Sequence, residues 1–415
     1  MDSSSYILSL ADKCVKCGLC LPQCPTYNLS ANENESPRGR IALVQGWLGG
    51  QLEASEKLTQ HLDQCLLCRR CERICPSKVP YGEIIDKSRA QLKSDSLTHG
   101  TSFKKTIIQK SLKLIITQKF STPFISALWL LQKSQLFFIL QKSGLLQLFG
   151  LKRLSAFLPT LAAPQRLKDF YPSSANEEQG TVALFTGCLS KNIDAKTVKA
   201  SISLLNKTGF NVFVPKQQTC CGALHLHEGD EAGALTLAKQ NIEVFNRLKV
   251  THIVSLVNGC SAQLREFSTL SFDAKVQDII EFLAEINWPS NITFTPNKES
   301  LALQIPCSLQ NILKADDKLL SLLQKIPDIN LPPESIYNKC CGAAGAYFLN
   351  QPAISQQLQS VAVDYLGKPH VKTIISSNIG CALQLKAGLK LTNQNIDVIH
   401  PVLLLEQHTQ LIPAK

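Results

Sequence analysis

Two cysteine runs of the same pattern stand near the start of the chain and limit what it can fold around. The first extends from Cys14 to Pro25 and the second from Cys65 to Pro76, and both follow C-x2-C-x2-C-x3-C-P. In proteins with two [4Fe–4S] clusters, this run gives three thiolates to one cluster and its last cysteine to the other. The spacing therefore predicts two [4Fe–4S] clusters with crossed ligation. The ligands of the first are Cys14, Cys17, Cys20 and Cys75, and those of the second are Cys65, Cys68, Cys71 and Cys24.

Structural zinc sites are the alternative for these runs, because sites with four thiolates also use C-x2-C spacing. Zinc sites rarely need three cysteines at consecutive x2 intervals followed by Cys-Pro, so the pattern favours iron–sulfur clusters. The chain has 16 cysteines, but metal-type spacing in a long chain argues against a secreted disulfide scaffold. Residues 1–12 also lack a signal-peptide pattern. Thiolate clusters need a reducing compartment, and we therefore expect a cytoplasmic protein.

The residues around the cysteine runs predict a small, mostly helical, ferredoxin-like domain over 1–98. Ser36 and Pro37 are typical of a helix start. Further helices are predicted over 52–62 and from Tyr81 onward. Several arginines lie close in sequence to the ligands, and their positive charge would stabilise an anionic cluster. They are Arg38, Arg40, Arg69, Arg70 and Arg73.

Residues 99–180 form a basic segment and linker. Between residues 99 and 170 there are eleven Lys and Arg against one acid, Asp169, so this stretch supplies +10 of the net charge of +11. No run approaches the length that a membrane-spanning helix requires. Amphipathic helices of this composition lie on anionic membranes or bind a partner, while a helical pair packed within the protein is the alternative. The residues expected to bind are Lys104, Lys105, Lys110 and Lys113.

The second half of the chain is an internal repeat of about 120 residues. Eight cysteines fall into two sets in the same order, and corresponding positions differ by 119 to 121 residues. Such constancy indicates a duplicated domain. The first set is Cys188, Cys220, Cys221 and Cys260, and the second is Cys307, Cys340, Cys341 and Cys381. In each set the middle pair belongs to a Cys-Cys-Gly (CCG) triplet. We expect the two domains over 181–296 and 297–415.

Each repeat alternates predicted strands and helices, which indicates parallel α/β layers. The strands predicted before the single cysteines include 182–186, 253–257, 301–305 and 373–376. Cysteines after such strands would lie at helix N-termini, where the thiolate is favoured. Four thiolates per repeat predict a further iron–sulfur cluster, metal ion or redox-active thiol set. His225 and His227 follow the first CCG triplet without a counterpart in the second repeat, and we favour polar lining over metal ligation for them.

Other kinds of site have no support in the sequence. No Gly-rich dinucleotide fingerprint occurs, so neither flavin nor NAD is expected on this chain. No Ser/His/Asp nucleophile arrangement occurs either, and no catalytic residue is assigned. Nucleic acid is not expected as a partner, because the basic segment holds few aromatic platforms among its charges.

Paired cysteine runs followed by two CCG domains resemble the iron–sulfur subunit of bacterial glycolate oxidase. The resemblance extends to Pro37-Arg38-Gly39-Arg40, to His61-Leu62-Asp63 and to Asn378-Ile379-Gly380-Cys381. It implies an electron-transfer subunit that takes electrons from flavoprotein subunits oxidising glycolate to glyoxylate. The electrons would pass to a quinone-like acceptor, and the chain would lie peripherally on the cytoplasmic face of the inner membrane.

Related architectures keep two alternatives open. The chain also resembles iron–sulfur subunits of lactate-utilisation and glycerol-3-phosphate dehydrogenase systems, whose flavin partner would select another substrate. A CCG-type disulfide reductase subunit is the second alternative. In heterodisulfide reductase the CCG unit usually ends in Cys-x-x-Cys, whereas Gln263 and Gln384 stand at that last position here. This departure leaves four cysteines per repeat and disfavours disulfide-reducing chemistry.

Overall fold

The N-terminal part of the protein is helical in the computed structural model, which describes residues 2–98, 121–134, 156–157, 161, 163 and 166–412. Six helices and one 3-10 turn at Glu33–Glu35 surround a core that includes the fully buried Ile7, Val44, Leu62 and Ile84. The helices are α1 (Ser3–Ala11), α2 (Pro25–Ser30), α3 (Pro37–Leu48), α4 (Glu56–Asp63), α5 (Arg70–Ile74) and α6 (Tyr81–Thr98).

Local capping decides where the predicted helices begin. Helix α3 starts at Pro37 as predicted, and the Ser36 hydroxyl accepts a hydrogen bond from the Gly39 amide at 2.9 Å. Such a cap satisfies one of the free amides of the first turn. The second helix was predicted from residue 52 but starts at Glu56, because Ser55 caps it by accepting from the Leu58 amide.

The basic segment lies largely outside the described residues. Lys104, Lys105, Lys110 and Lys113 all fall there, so the predicted binding role of these lysines stays a prediction. Within the segment the structure describes helix α7 (Ser121–Lys133), whose Lys133 ammonium lies 5.3 Å from the Trp129 ring centroid. In the described part of the chain, no helix is both long enough and apolar enough to cross a membrane.

Two mainly parallel sheets form the second half, as the alternation of strands and helices predicted. The first sheet has the order β1-β3-β2-β4-β5, in which only β1 is antiparallel to its neighbour. Its strands are β1 (Phe170–Tyr171), β2 (Gly180–Phe185), β3 (Phe210–Phe213), β4 (His252–Ser255) and β5 (Lys275–Asp278). Strand β1 falls near the end of residues 99–180, which were expected to form a basic segment and linker.

The helices of this first unit follow its strands in alternation. They are α8 (Gly187–Ile193), α9 (Ala195–Lys207), α10 (Ala223–His227), α11 (Glu231–Asn246), α12 (Asn258–Glu266) and α13 (Ile279–Glu285), with a 3-10 turn at Phe267–Leu270.

The second unit repeats the same plan. Its strands have the order β10-β9-β7-β8 and are all parallel, which matches β5-β4-β2-β3 of the first unit. They are β7 (Leu301–Gln304), β8 (Ile336–Tyr337), β9 (Thr373–Ser376) and β10 (Asp397–Ile399). Strand β6 (Ile292–Phe294), between the units, pairs antiparallel with the late strand β11 (Thr409–Leu411).

The helices of the second unit also alternate with its strands. They are α14 (Asp316–Leu323), α15 (Tyr347–Asn350), α16 (Pro352–Leu366), α17 (Ile379–Leu391) and α18 (Pro401–His408). A π-helical turn spans Ser308–Leu313, and a 3-10 turn spans Pro333–Ser335.

A shared apolar core joins the two units. Val182 of β2, Leu303 of β7 and Val402 of α18 are fully buried in one cluster. Across this contact the Lys207 ammonium pairs with the Glu406 carboxylate at 3.0 Å. The Ser377 hydroxyl, just after β9, donates to the Asn258 side chain, just after β4, at 2.7 Å, so the contact also joins two of the strand ends that lead into cysteines.

Candidate metal centres

The two N-terminal cysteine runs adopt the same backbone. Lys16 and Leu67, each just before the second cysteine of its run, have φ of 55° and 50°. Gly18 and Arg69, each just after that cysteine, have φ of 86° and 54°. Alternating left-handed residues turn successive amides toward one point and make an anion-binding concavity of the kind found at iron–sulfur sites. The amide of Leu67 accordingly donates to the Cys65 sulfur at 3.4 Å.

The set predicted for the second cluster is brought together in the interior. Cys24, Cys65, Cys68 and Cys71 line one small cavity, and all except the half-buried Cys68 are buried. Burial raises the pKa of Cys71 well above that of a free thiol, and the neighbouring Cys68 and Cys65 raise it further. Three cysteines of the second run thus meet the last cysteine of the first run, as crossed ligation requires.

The set predicted for the first cluster lies at the surface. Cys17 is exposed, whereas Cys14, Cys20 and Cys75 are partly buried. Burial raises the pKa of Cys20, and the nearby Cys14 and Cys17 add to that rise. Cys14, Cys20 and Cys75 pack against the same N-terminal core.

Exposed apolar side chains stand beside these ligands. Val15 is 68% exposed, Leu19 is 54% exposed and Ile74 is 46% exposed, and each is next to a predicted ligand in sequence. We call these three side chains the apolar rim. It marks the part of the N-terminal surface where a ligand set reaches solvent.

A buried arginine stands beside the cysteines predicted for the second cluster, which we call the inner set. These are Cys24, Cys65, Cys68 and Cys71. The Arg40 guanidinium donates to the Glu35 carboxylate at 2.6 Å and to the Thr26 hydroxyl at 3.1 Å. Burial by itself would lower the pKa of Arg40, but Tyr81, Cys65, Cys24 and Glu35 together keep that pKa raised. Its fixed positive charge is therefore close to Cys65 and Cys24, where the sequence predicts an anionic cluster.

Three further arginines near the ligands bind the second half of the chain instead. Arg69 pairs with Glu266, at the end of α12. Arg70 donates to the Asn338 carbonyl at 2.7 Å. Arg73 donates to the Gln310 carbonyl at 2.9 Å. These contacts fasten the second cysteine run to both CCG units.

The cysteines of the second CCG unit lie next to the inner set. The Cys341 and Cys381 sulfurs are 2.9 Å apart, and Cys340 and Cys341 are buried in the CCG loop. Burial raises the pKa of Cys68, and Cys307 is its strongest electrostatic neighbour. Burial also raises the pKa of Cys340, to which Cys307, Cys341 and Cys68 contribute. The inner set and the second CCG set are therefore neighbours across the interface.

The first CCG unit gathers its own four cysteines. Hydrogen bonds from Cys188 and Cys221 lower the pKa of Cys220 well below its usual value. The hydrogen bond between Cys221 and Cys220 raises the pKa of Cys221, and a second hydrogen bond, with Cys260, raises it further. The four sulfurs thus form a connected chain, and the loop is fixed by Asn241, which donates to the Cys220 carbonyl at 2.9 Å.

Cysteine sulfurs and the backbone amides beside them make up these donor sets. Thiolate sets with amides aimed at sulfur are the donors that iron–sulfur clusters use. The Gly342 amide, 3.5 Å from the Cys340 sulfur, repeats in the CCG loop the contact made by Leu67.

Similarity to known proteins agrees with these donor sets. Residues 182–265 and 301–386 match a family described as a cysteine-rich domain, CCG, and residues 10–79 match a 4Fe–4S dicluster domain. The chain is 31% identical over 398 residues to the probable glycolate oxidase iron–sulfur subunit of Bacillus subtilis, covering 91% of this chain and 88% of that protein. The chain belongs to the glycolate oxidase iron–sulfur subunit family.

More distant relatives share all or half of this architecture. The glycolate oxidase iron–sulfur subunit of Escherichia coli is 28% identical, and the match covers 95% of each chain. Lactate utilization protein A of Shouchella clausii is 24% identical over 231 residues, which is 53% of this chain and 95% of that protein. The resemblance stated from the cysteine motifs is therefore confirmed, and the family indicates iron–sulfur clusters in this chain.

Sequence reasoning missed the residues that join the cysteine sets. Asn311, Gln310 and Glu266 carry no motif, and their partners lie 197 to 243 residues away in sequence. The pair formed by His225 and Asp230 was also missed, although both follow the CCG triplet within ten residues. The other histidine of this helix, His227, has its Nδ1 3.1 Å from the Asp86 carboxylate of α6, at the contact between the two domains.

Proposed function

We propose that this chain is the electron-transfer subunit of a glycolate oxidase complex. A flavoprotein subunit oxidises glycolate to glyoxylate by hydride transfer, and this chain passes the electrons one at a time to a quinone-like acceptor. The catalytic flavin site belongs to the partner. The names of the relatives from Bacillus subtilis and Escherichia coli support this assignment.

The arrangement of the N-terminal cysteine sets is the observation that carries the proposal. One set reaches the surface at Cys17, and the other is buried with Cys24, Cys65 and Cys71. Bound [4Fe–4S] clusters would supply one-electron carriers at these two positions. In this chain the protein supplies the ligands, excludes water from the inner set and places a fixed cation, Arg40, beside it.

The cysteines of both CCG units hold further metal centres in this proposal. Cys307 and Cys340 adjoin Cys68, so the second CCG site is the neighbour of the inner set. The order from the surface is then the outer cysteines, the inner cysteines and the second CCG cysteines. Such an order places one end of the relay at the protein surface and the other in the α/β half.

The apolar rim around Cys17 is where the redox partner docks. A partner that covers Val15, Leu19 and Ile74 removes their apolar surface from water. Each Å² of apolar surface buried in this way stabilises the complex by roughly 25 cal/mol. Val15→Asp should therefore slow electron exchange with the flavin subunits at least tenfold while leaving the iron content unchanged. Val361→Asp is the matched control, because Val361 is also exposed but belongs to α16 of the second CCG unit.

Reconstitution with the flavin subunits tests the function. The isolated chain should not oxidise glycolate with an artificial acceptor, but it should restore quinone-linked oxidation when the flavin subunits are added. Turnover by this chain alone, free of flavin, would refute the proposal. Reduction of a disulfide by the isolated chain would favour the reductase alternative.

The choice of substrate belongs to the same experiment. The similarity of one half of the chain to lactate utilization protein A makes lactate the second candidate. Glycolate, lactate and glycerol 3-phosphate should each be offered to the reconstituted complex. Restoration with lactate and not glycolate would assign the chain to the lactate system.

Attachment to the cytoplasmic face of the membrane is proposed for the basic segment. Each Lys near an anionic bilayer contributes about 1 kcal/mol, so four engaged lysines give measurable binding. Replacing Lys104, Lys105, Lys110 and Lys113 by Gln should weaken sedimentation with anionic vesicles. If the wild-type protein did not bind such vesicles but bound its flavin partners through this segment, the segment would be a subunit interface instead.

A further inference from the structure

His225 stands beside the first CCG site in a fixed orientation. It belongs to α10, which begins directly after the Cys220-Cys221-Gly222 triplet. Its Nδ1 lies 2.7 Å from the Asp230 carboxylate. This carboxylate stabilises the tautomer that carries its proton on Nδ1, so the lone pair of the ring is left on Nε2.

The other ring nitrogen of His225, Nε2, is not used in a hydrogen bond within the described structure. His225 Nε2 is buried, and no hydrogen-bond partner reaches it. Leaving a buried polar atom unpaired costs about 1–3 kcal/mol, so such an atom calls for an explanation. Helix α10 also lies against α12, which carries Cys260. His225 therefore belongs to a helix that begins at the CCG triplet and packs against the helix that carries Cys260.

A glycine makes room for the oriented pair. A side-chain carbon at Gly233 would come within 2.6 Å of both His225 Nδ1 and the Asp230 carboxylate. Asp230 is held from the other side, because it caps α11 by accepting from the Gly233 amide at 3.1 Å. The local sequence thus builds a rigid carboxylate–imidazole pair next to the cysteines.

The arrangement is peculiar to one repeat and to one of its two histidines. Gly345 occupies the position of His225 in the second repeat. His227, two residues on, faces Asp86 of α6 and is 42% exposed. Neither a general need of the CCG fold nor a general role of histidine in this helix accounts for His225.

We propose that His225 Nε2 is a ligand of the iron centre held by Cys188, Cys220, Cys221 and Cys260. Histidines that bind metals almost always donate their other N–H to a carboxylate, which fixes the ring and raises its basicity. Asp230 supplies that support. Gln263 stands where the CCG unit of heterodisulfide reductase has a further cysteine, so in this proposal the imidazole is a neutral fifth ligand at a site with four thiolates. The proposal rests on the proposed function, in which the CCG cysteines hold metal.

A histidine ligand at the first CCG site would make the two CCG sites chemically different. A neutral imidazole adds no negative charge where a fifth thiolate would, and imidazole in place of thiolate raises the reduction potential of an iron–sulfur centre. The first CCG site then has mixed nitrogen and sulfur ligation, and the second keeps thiolates alone. The duplicated units would thus hold centres of different potential within one chain.

Iron retention and nitrogen coupling test this assignment in the full-length, anaerobically purified chain. Cys188→Ser first identifies the iron that belongs to this site. In competition with an iron chelator, His225→Ala should bind that iron at least tenfold more weakly than the wild type does. Asp230→Asn should weaken it roughly 10–100-fold, as for other carboxylates that support a ligating histidine. His227→Ala is the matched control and should retain the iron as the wild type does.

Pulsed electron paramagnetic resonance of protein labelled with 15N-histidine supplies a second readout. The wild type should show a histidine nitrogen coupled to a centre that is absent from Cys188→Ser, and His225→Ala should lose that coupling. Unchanged iron affinity and coupling in His225→Ala would overturn the assignment. A first site that never holds iron would overturn it too. In that case reconstitution with the flavin subunits would still decide the proposed function separately.

Discussion

The side-chain amide of Asn311 donates a hydrogen bond of 2.8 Å to the carbonyl oxygen of Cys68. Asn311 lies in the π-helical turn directly after Cys307, so this bond joins the inner N-terminal cysteines to the second CCG site. π-helical turns are rare and occur frequently at functional sites. The contact fixes the separation of two cysteine sets that belong to different domains.

Removing this bond should loosen the second cysteine run. Asn311→Ala deletes a hydrogen bond worth about 1 kcal/mol, which corresponds to a roughly fivefold larger equilibrium constant for local opening. Hydrogen exchange of the peptide covering residues 65–75 measures the effect. Asn246→Ala is the control, since Asn246 also donates to a carbonyl, that of Ser271, within the first CCG unit. Equal exchange in both variants would show that the interface does not depend on Asn311.

The buried pair of Arg40 and Glu35 should matter far more than the exposed pair of Arg38 and Glu33. Arg40→Met removes the guanidinium that pairs with the buried Glu35 carboxylate, and breaking a buried pair in this way typically costs about 3–5 kcal/mol. Arg38→Met breaks an exposed pair that is screened by solvent and should destabilise the protein far less. Denaturant unfolding of the two variants measures the difference.

A double variant separates charge from packing at the same position. Glu35→Gln combined with Arg40→Met removes both charges, so it should recover part of the stability that Arg40→Met loses. A double variant that is less stable than Arg40→Met would contradict a charge origin. The loss would then come from the hydrogen bonds of Arg40 to the Thr26 hydroxyl and the His61 carbonyl.

Asp278 should make stability depend on pH. Burial raises its pKa from 3.8 to about 6, although Ser261, the Ile280 amide and Asn258 donate to the carboxylate and oppose the rise. The folded protein therefore holds this proton more tightly than the unfolded chain between pH 4 and 6. Stability from this group falls as pH rises through that range and is lost above the folded pKa.

Thermal unfolding between pH 4 and 7 measures this contribution against Asp278→Asn. The difference between wild type and variant should change by about 2 kcal/mol across the range, because burial moves the pKa from 3.8 to about 6 and part of the unfolded-state titration lies below pH 4. The variant itself lacks the titrating carboxyl and should show a flatter profile. Parallel profiles for the two proteins would mean that Asp278 is ionised at pH 5 in the folded state.

Crossed ligation predicts which centre each terminal cysteine serves. Cys24→Ser should damage the centre held by Cys65, Cys68 and Cys71, because Cys24 lines the same cavity as they do. Cys75→Ser should damage the other centre, whose ligands include the exposed Cys17. Electron paramagnetic resonance of each reduced variant distinguishes the two. Loss of the opposite centre in each variant would show that every run binds its own cluster.

Most of the fold could be predicted from the sequence, because cysteine spacing and hydrophobic alternation are patterns that depend on nearby residues. Strand β9 lies over the predicted residues 373–376, and β2, β4 and β7 each lie within two residues of their predicted ends. The same holds for Ser36, whose capping role depends only on its immediate neighbours. The repeat followed from cysteine spacing alone.

What the sequence did not predict depends on distant partners. Strand β1 forms because Phe170 and Tyr171 pair with Phe213 and Val212, residues far along the chain. The left-handed backbone at Arg69 is unfavourable for a residue with a side chain, and the pairs of Arg69 with Glu72 and Glu266 accompany it. Glu266 lies 197 residues from Arg69 in sequence, beyond any short-range pattern. The neighbourhood of Cys68 and Cys307 arises in the same way, from the packing of two domains.

Rapid mixing tests the central claim that this chain carries electrons received from a flavoprotein. The anaerobic, oxidised protein is mixed with the flavin subunits and glycolate, and iron–sulfur absorbance is followed. The account predicts bleaching only when both the subunits and glycolate are present, with Val15→Asp slowed at least tenfold and Val361→Asp unaffected. Bleaching by glycolate without the flavin subunits, or none in the complete mixture, would contradict it.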